Sequence, residues 1–567
     1  MGALAEIIVQ IRGITAAAPL SRATKAAERA QTRFLRVLLR RNAETVFGKE
    51  HGFGSITTPQ EYARAVPIRD YEGFRPYVER ICQGGSALLT RDHPFMFTTT
   101  SGTTAEPKLL PVTQHWKADT ASLMRIWLYW ASRDHPGLFD GGVMSVVSPA
   151  VEGYTEGGQP FGSVSGLTYQ CLPSVVRRTY AIPYEVMTIQ DYEDRYFASI
   201  RLAVGRDVSL IATPNPSTLL RLAHVLEKRA EEILRAVRDG RLGLDPAHLT
   251  ADGADEQRLL YQRLDAQISP DPERAKLLEN RAARDGRLLP RYGWPNLRLI
   301  GCWLGGSCGV QAGPLRELYG PDIPLRDLGL RASEATVTIP FSDETAAGVL
   351  ALHTGFYEFV DVSSMDAEAP PVLLAHELEE GRSYYLLLTT SAGLYRYNIN
   401  DIVEVSGFLE RAPVLKFVRK GRDMVSITGE KLHVSQILHA MESAQRIVSL
   451  RLVQFRIIPD VAASRYDLLL ELPSGADRHL VNELGACFDR QLGKANIEYG
   501  QKRASGRLGS VRLHVMKDGW SERRWRADIA RGKRDSQYKW PYIQLEWDEE
   551  QRQEIGHSLS EGNTGTR

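Results

Sequence analysis

Paired cysteine motifs are absent from this 567-residue chain. Its five cysteines are scattered, and none forms a C-x-x-C pair, so the sequence predicts neither a zinc ribbon nor a disulfide framework. Free thiols are typical of a reducing compartment, and we therefore expect a cytoplasmic protein.

An excess of one charge is also absent. Lys and Arg total 70 and Asp and Glu 69, a net charge of +1, whereas proteins that hold nucleic acid usually carry a clear basic excess. No run approaches the ~18 apolar residues of a membrane span. Glu6, Gln10 and Arg12 interrupt the N-terminal apolar stretch, so no signal peptide is expected. The sequence thus predicts no nucleic-acid and no membrane partner.

The organisation of the chain favours two α/β lobes, because single cores rarely grow beyond about 250–300 residues. Strand-like runs alternate with helical stretches, such as one long amphipathic helix predicted over 217–239. Thr58 and Glu61 predict a helix start with a capping box. We expect a large N-terminal domain over 1–415, a hinge over 406–424, a small C-terminal domain over 425–548 and a disordered polar tail over 549–567.

A loop of small and hydroxyl residues, Thr100–Lys108 (TSGTTAEPK), is the strongest chemical motif. Its backbone N–H groups can converge on an anion, and the hydroxyls of Ser101, Thr103 and Thr104 add donors. The alternative is a polar turn. No Walker sequence G-x-x-x-x-G-K-[ST] occurs anywhere in the chain.

This loop resembles the phosphate loop T-S-G-T-T-x-x-P-K of the acyl-adenylate-forming superfamily, with Ala105 where glycine is usual. A second segment, Gly329–Glu334 (GLRASE), is similar to the A-S-E string of the related amido synthetases. The tyrosine that often precedes that string is missing, and Leu330-Arg331 stands in its place.

A third segment, Leu394–Asp401 (LYRYNIND), resembles the superfamily string Y-R-Y-x-x-G-D. Asn400 replaces the glycine, a mild departure because asparagine accepts a positive φ better than most residues. By this resemblance Asp401 accepts hydrogen bonds from both ribose hydroxyls.

Together the three motifs resemble the amido synthetases of the auxin-responsive family, named Gretchen Hagen three in plants. Pro67–Tyr71 (PIRDY) and Gln537–Lys539 with Pro541 extend the resemblance over nearly the whole chain, and the early helices and the tail suggest a bacterial form. The resemblance implies a large α/β lobe with β-barrel or sheet subdomains and a small mobile α+β lobe. It also implies ATP and Mg²⁺, and activation of a carboxylic acid as an acyl-adenylate before transfer to an amine, which is an amino acid in the family's pattern.

The same resemblance assigns roles to individual residues. Lys539 and Glu334 are the predicted catalytic pair, Glu334 also holding Mg²⁺ through the phosphates. The predicted ATP-binding residues are Thr100, Ser101, Gly102, Thr103, Thr104, Lys108, Ala332, Ser333, Glu334, Asp401, Arg422 and Lys539. The predicted acyl or amine contacts are Gly305, Gly306, Ser307, Gly519 and Trp520.

Three other functions remain open. A sister class joins the acyl group to coenzyme A as a thioester. Gly305–Gly309 (GGSCG) also fits the hydrolase string G-x-S-x-G, with Ser307, Asp401 and His433 in hydrolase order. Departures at Ala105, Leu330 and Asn400 would suit a ligand-binding relative without catalysis. The expected partners are small molecules, and a monomer is expected.

Overall fold

The structure is a computed structural model that describes residues 2–100, 108–249, 253–365, 367, 369–421, 424–477, 479–530 and 540–559. The chain divides into two compact units, with a boundary between Arg419 and Lys420. Among the described residues, no helix combines the length and the apolar character needed to cross a bilayer.

Helices at the start of the first unit pack against a large sheet and share its hydrophobic core. These helices are α1 (Gly2–Lys25), α2 (Ala27–Arg41), α3 (Val46–Glu50), α4 (Pro59–Ala65) and α5 (Arg75–Cys82). The sheet has seven strands in the order β12-β11-β13-β14-β15-β10-β9. They are β9 (Thr338–Ile339), β10 (Gly348–Leu350), β11 (Gly355–Asp361), β12 (Val372–Leu374), β13 (Ser383–Thr390), β14 (Tyr397–Leu409) and β15 (Ala412–Lys420).

The buried amide of Gln31 joins α2 to this sheet. Its Nε2 donates to the carbonyls of Leu352 and Gly355 at 2.8 and 2.7 Å, and its Oε1 accepts from the N–H of Tyr357 at 2.9 Å. One side chain thus satisfies three backbone groups at the start of β11, groups that would be costly to bury without a partner.

A parallel sheet with the order β3-β6-β7-β8 forms a second core. Its strands are β3 (Gly142–Met144), β6 (Val208–Ala212), β7 (Leu299–Gly301) and β8 (Leu325–Arg326). Helices connect these strands, as parallel pairing requires. They are α7 (Val164–Gln170), α8 (Ser174–Arg177), α9 (Tyr192–Val204), α10 (Pro216–Lys228), α11 (Ala230–Asp239), α12 (Ala254–Asp265), α13 (Pro272–Ala282), α14 (Pro290–Gly293), α15 (Ser307–Ala312) and α16 (Leu315–Tyr319).

A smaller sheet with the order β2-β1-β5-β4 carries the ends of the phosphate-loop motif. It consists of β1 (Met96–Thr100), β2 (Lys108–Val112), β4 (Gly153–Tyr154) and β5 (Pro160–Gly162), and the long helix α6 (Gln114–Asp134) follows β2. Thr113 caps α6 by accepting from the N–H of Trp116, so the helix starts directly after the strand.

The second unit packs helices on a four-stranded sheet with the order β18-β19-β20-β21. Its elements are β16 (Met424–Val425), β17 (Leu432–His433), α17 (Val434–Val448), β18 (Gln454–Asp460), β19 (Arg465–Glu471), α18 (Leu480–Ala495), α19 (Ile497–Ala504), β20 (Arg512–Met516), α20 (Trp520–Ala530), α21 (Glu549–Gln553) and β21 (Ile555–Leu559).

The structure bears on two parts of the predicted organisation. Most of the segment 406–424, predicted as a hinge, belongs to strands β14 and β15, which a turn with Glu410 at φ 56° separates. The boundary between the two units lies within this segment, and its role as a hinge stays a prediction. The predicted disordered tail is wrong over 549–559, where Asp548 caps α21 and β21 pairs with β20. That pairing orders a polar segment because it covers a sheet edge. The remaining domain boundaries stay predictions.

The single helix predicted over 217–239 is also wrong. The structure has α10 and α11, separated at Arg229 with φ −112° and ψ 31°. The guanidinium of Arg229 lies 3.9 Å from the centre of the Phe197 ring on α9. This tertiary contact accompanies the break, whereas the apolar periodicity continues through it.

Candidate active site

The ends of the phosphate-loop motif lie opposite each other in an antiparallel ladder. Thr100 at the end of β1 pairs with Lys108 at the start of β2. Tyr71 holds this ladder, because its hydroxyl donates to the carbonyl of Leu109 at 3.0 Å and accepts from its N–H at 2.9 Å. The ammonium of Lys108 lies 5.5 Å from the centre of the Tyr71 ring.

Ser101, Gly102, Thr103 and Thr104 lie outside the described residues, as does Ala105, so their predicted contacts with ATP stay predictions. The hairpin formed by the flanking strands nevertheless fixes where the segment leaves and re-enters the sheet.

Glu334 lies at the tip of a tight hairpin between β8 and β9. The carbonyl of Leu330 accepts from the N–H of Val337 at 2.8 Å, and the carbonyl of Ala335 accepts from the N–H of Ala332 at 2.9 Å. Glu334 is only 6% exposed. This turn places Ala332, Ser333 and Glu334, all predicted to bind ATP, within one compact structure.

The two oxygens of the Glu334 carboxylate have different surroundings. The Tyr397 hydroxyl donates to Oε1 at 3.3 Å, and the indole of Trp116 fixes the backbone by donating to the Glu334 carbonyl at 2.9 Å. Oε2 is buried and has no hydrogen-bond partner among the described residues. A buried carboxylate oxygen without a partner is costly unless a ligand completes it.

Tyr397 also connects Glu334 to the third motif, because it begins β14, the strand that carries Asp401. Asp401 is 3% exposed, and Asn400 before it has a φ of 59°. The expectation that asparagine replaces glycine at a positive φ is therefore confirmed.

Burial, together with the neighbouring Glu334, holds the pKa of Tyr397 well above its ordinary value, so Tyr397 remains a donor at neutral pH.

The PIRDY segment forms backbone hydrogen bonds with the segment that leads to Asp401. Arg69 donates its backbone N–H to the carbonyl of Arg396 at 3.2 Å, and its own carbonyl accepts from the N–H of Asn398 at 2.7 Å. Because Tyr71 in this segment also binds β2, one short stretch of chain links the phosphate-loop strands to the Asp401 strand.

Arg396, at the centre of the YRY string, has a structural role. It is buried and pairs through Nε with both oxygens of the buried Glu358 at 3.0 Å. Its Nη1 donates to the carbonyls of Ala63 and Val66 at 2.8 and 2.7 Å. Burial raises the pKa of Glu358, and the Arg396 charge opposes that rise.

Gly305 and Gly306, predicted to contact the acyl group, follow β7 and are tied to the Glu334 hairpin. The carboxylate of Asp327 accepts from the N–H of Leu304 at 2.6 Å and from that of Gly329 at 2.5 Å. The indole of Trp303 also donates to the Gly329 carbonyl at 3.1 Å. These contacts hold the two loops in one arrangement.

Asp327 is a functional candidate that the sequence reasoning missed. Burial raises its pKa to about 7, against the lowering effect of N–H donors from Leu304, Gly329 and Gly305. The signal in the sequence was its place directly after the parallel strand β8, since ligands of α/β sheets gather at the carboxyl ends of strands.

The geometry around Ser307 does not suit a hydrolase nucleophile. Strand β7 ends at Gly301, and Ser307 begins α15 only after an intervening loop. A nucleophile elbow instead places its serine on a sharp turn directly between strand and helix. Gly306 has a φ of 56°, and an added Cβ would lie 3.0 Å from the Phe417 ring, so backbone conformation and packing both favour glycine there.

In the second unit, Trp520 is buried among Ile458, Leu469 and Met516. Gly519 before it has a φ of 75°. The environment of Trp520 gives it a packing role, and its contact with an acyl or amine substrate stays a prediction. Arg422 and Lys539 lie outside the described residues, so their roles stay predictions as well.

The chain directly after Lys539 is well anchored within the second unit. The Trp540 indole donates to the carbonyl of Phe455 at 2.9 Å. The carbonyl of Tyr542 accepts from the N–H of Ile457 at 2.8 Å, so this segment lies along β18. The buried guanidinium of Arg456 lies 4.4 Å from the Trp540 ring centre and donates to the carbonyl of Pro541 at 2.9 Å.

The predicted Mg²⁺ site depends on Glu334. Among the described residues, no group of three or more His, Cys, Asp or Glu side chains could hold a metal ion. Mg²⁺ in nucleotide sites is usually held by phosphates, waters and only one or two carboxylates. The buried Oε2 of Glu334, which no described residue contacts through a hydrogen bond, suits that arrangement.

Most of the chain matches the domains of a known protein family. Residues 16–325, 348–420 and 435–546 match the GH3 family N-terminal, central and C-terminal domains. The indole-3-acetic acid-amido synthetase GH3.8 of Oryza sativa subsp. indica is 26% identical over 543 residues, covering 90% of this chain and 87% of that protein. The jasmonoyl–L-amino acid synthetase JAR4 of Nicotiana attenuata is 24% identical over 544 residues, covering 91% of each.

A solved structure of the GH3.15 acyl acid amido synthetase matches with a TM-score of 0.62 at 23% identity, covering 95% of each chain. The predicted fold class is therefore confirmed: an α/β protein with a large N-terminal domain and a smaller C-terminal domain. Both curated relatives above are plant proteins, and the suggestion of a bacterial form stays a prediction. Since its matches extend over all three of the family's domains, the chain belongs to the GH3 family.

Proposed function

We propose that this protein is an acyl acid amido synthetase that activates a carboxylic acid with ATP and transfers the acyl group to an amino acid. The observation that carries the proposal is the buried Glu334 carboxylate, which Trp116 and Tyr397 position while no described residue hydrogen-bonds to Oε2. The names of the GH3.8 and JAR4 relatives support amide formation.

In the first step, the carboxylate of the acid attacks the α-phosphorus of ATP. A P–O bond forms, the bond to the leaving pyrophosphate breaks, and an acyl-adenylate results. In the second step, the amine attacks the acyl carbon, AMP leaves, and the amine loses a proton. No protein nucleophile is required, so the protein contributes positioning and charge neutralisation.

In this proposal, separate segments of the chain bind separate parts of the substrates. The Thr100–Lys108 segment binds phosphates, Asp401 accepts hydrogen bonds from ribose, and Gly305 and Gly306 border the acyl group. Bound Mg²⁺ would supply charge neutralisation at the phosphates, with Glu334 as its protein ligand. Lys539 and Arg422 would contact the nucleotide. We also propose that the enzyme is monomeric and cytoplasmic, and that it binds neither nucleic acid nor membranes.

The test is ATP–pyrophosphate exchange with a panel of carboxylic acids. Wild-type protein should exchange only when a suitable acid is present, and Glu334→Gln, Asp401→Ala and Lys539→Ala should each lower the rate by about 100-fold or more, as for loss of an electrostatic contact in a transition state. Glu379→Gln is the matched control, because Glu379 is an exposed surface carboxylate. Absence of exchange with every acid, together with no binding of ATP, would refute the proposal.

Thioester formation is the alternative to amide formation. Supplying the active acid with either an amino-acid panel or coenzyme A separates the two. An amide product supports the proposal, whereas a thioester formed in preference to any amide would assign the chain to the sister reaction.

A further inference from the structure

Arg331, in the hairpin that carries Glu334, has an environment unlike that of two fully buried arginines in the same unit. It faces Thr336 in an isolated antiparallel bridge. Its neighbours Leu330 and Ala332 pack against the main hydrophobic core. Because successive side chains of an extended segment point to opposite faces, the Arg331 side chain leaves the hairpin on the face away from that core.

The guanidinium of Arg331 is partly buried without compensation. Across the part of the chain that the structure describes, it forms no ion pair, no hydrogen bond and no contact with an aromatic ring. Burial lowers its pKa to about 10, which still leaves it charged at neutral pH. A charge partly removed from water without a partner is unfavourable, and a ligand that supplies an opposite charge would relieve this cost.

Arg326 and Arg396, two of the buried arginines of the first unit, show what compensation looks like in this fold. Arg326 pairs with Asp134 and Asp343 at 2.8 and 2.6 Å. Arg396 pairs with Glu358. Arg331, which is partly rather than fully buried, therefore differs from them in having no carboxylate partner among the described residues.

The position of Arg331 beside Glu334 strengthens the contrast. The two side chains carry opposite charges three residues apart, yet within the described ranges no ion pair joins them. Oε2 of Glu334 has no hydrogen-bond partner there either. The hairpin therefore offers a cation, Arg331, that could bind an anionic group of a ligand. It also offers a carboxylate oxygen, Glu334 Oε2, that could bind a cation accompanying that ligand.

We propose that Arg331 binds a substrate oxyanion in the candidate active site. The shared chemistry is an oxygen anion that accepts charge-assisted hydrogen bonds from a guanidinium. Two substrates of the proposed function, on which this inference rests, carry such a group: the acyl acid as its carboxylate and ATP as its phosphates.

The test compares Arg331→Met, which keeps an extended side chain without charge, and Arg331→Lys, which keeps the charge. Arg382→Met is the control, since Arg382 lies on the surface and pairs with Asp361 and Glu379. ATP–pyrophosphate exchange gives the KM of each substrate, and calorimetry measures binding of ATP and of the acid to the same proteins without turnover.

In Arg331→Met, the KM and the dissociation constant of one substrate should rise about 10-fold to 100-fold, the loss expected for a hydrogen-bonded charge. Arg331→Lys should recover part of that loss. A change for ATP alone identifies the phosphates as the source, and a change for the acid alone identifies its carboxylate.

If KM and the dissociation constant of both substrates were unchanged in Arg331→Met, the inference would be overturned. A gain in stability of that variant, from losing a partly buried charge, would reinforce this result. If wild-type protein shows no exchange with any acid, the proposed function fails separately. Calorimetry with ATP and with the acid then tests Arg331 by itself. Weaker binding of either anion by Arg331→Met than by wild type upholds the inference. Equal binding by the two proteins, or no binding by wild type, rejects it.

Discussion

At the scale of single residues, the buried Arg396–Glu358 pair shows how a functional motif can also maintain the fold. Arg396 stands directly before Tyr397, the residue that contacts Glu334. Its hydrogen bonds reach Glu358, Ala63 and Val66, so this arginine acts through packing rather than through a substrate.

Replacing Glu358 with Gln should destabilise the protein by about 3–5 kcal/mol, because it leaves the Arg396 charge buried without its partner. The double variant Glu358→Leu with Arg396→Met should lose much less, since it removes both charges. Guanidinium denaturation measures both values, with Glu379→Gln as a surface control expected within about 0.5 kcal/mol of wild type. Equal losses in the single and double variants would contradict this account.

Asp327 predicts a pH dependence of stability. Burial raises its pKa from 3.8 to about 7, so between those values the folded protein holds a proton that the unfolded chain releases. The stability from this group is complete below the unfolded pKa and is lost as the pH rises through the folded pKa.

The free energies of unfolding of wild type and Asp327→Asn should therefore diverge from about pH 4 to about pH 7, by about 1.4 kcal/mol per pH unit at most. Wild type should lose stability relative to the variant as the pH rises, and denaturant titrations at a series of pH values measure the difference. Parallel curves across this range would show that Asp327 does not titrate there.

At the scale of elements, Tyr71 couples the PIRDY segment to the strand that follows the phosphate loop. Tyr71→Phe removes a hydroxyl that satisfies both the N–H and the carbonyl of Leu109. We expect a loss of about 1–3 kcal/mol in stability and a higher KM for ATP in the exchange assay. A stable variant with unchanged KM would show that the ladder holds without this contact.

Local patterns in the sequence predicted several features of the elements correctly. Thr58 and Glu61 form the expected capping box at the start of α4, and Asn400 has the expected positive φ. Both features depend on residues within a few positions of each other, so a local pattern is sufficient to predict them.

Features that depend on distant residues could not be predicted in this way. The break at Arg229 involves the ring of Phe197, and the order of 555–559 comes from pairing with β20. The environment of Arg331 is likewise invisible in the sequence, because it depends on which carboxylates the fold brings nearby.

At the scale of the whole molecule, β21 closes one edge of the C-terminal sheet by pairing with β20. A chain ending at Asp548 should expose that edge and aggregate more readily, because unpaired edge strands pair with other chains. Light scattering during heating measures this, with a chain ending at Leu559 as the control. Equal scattering from both truncated proteins would contradict the prediction.

The contacts of Gln31 have a consequence for the order of events during synthesis. Its partners Leu352 and Gly355 lie 321 and 324 residues further along the chain. At roughly 5–20 residues per second, a ribosome makes them about 15–65 seconds after Gln31. Helix α2 therefore emerges long before the strand that completes it, and the nascent N-terminal segment must remain soluble for that interval without its final partner.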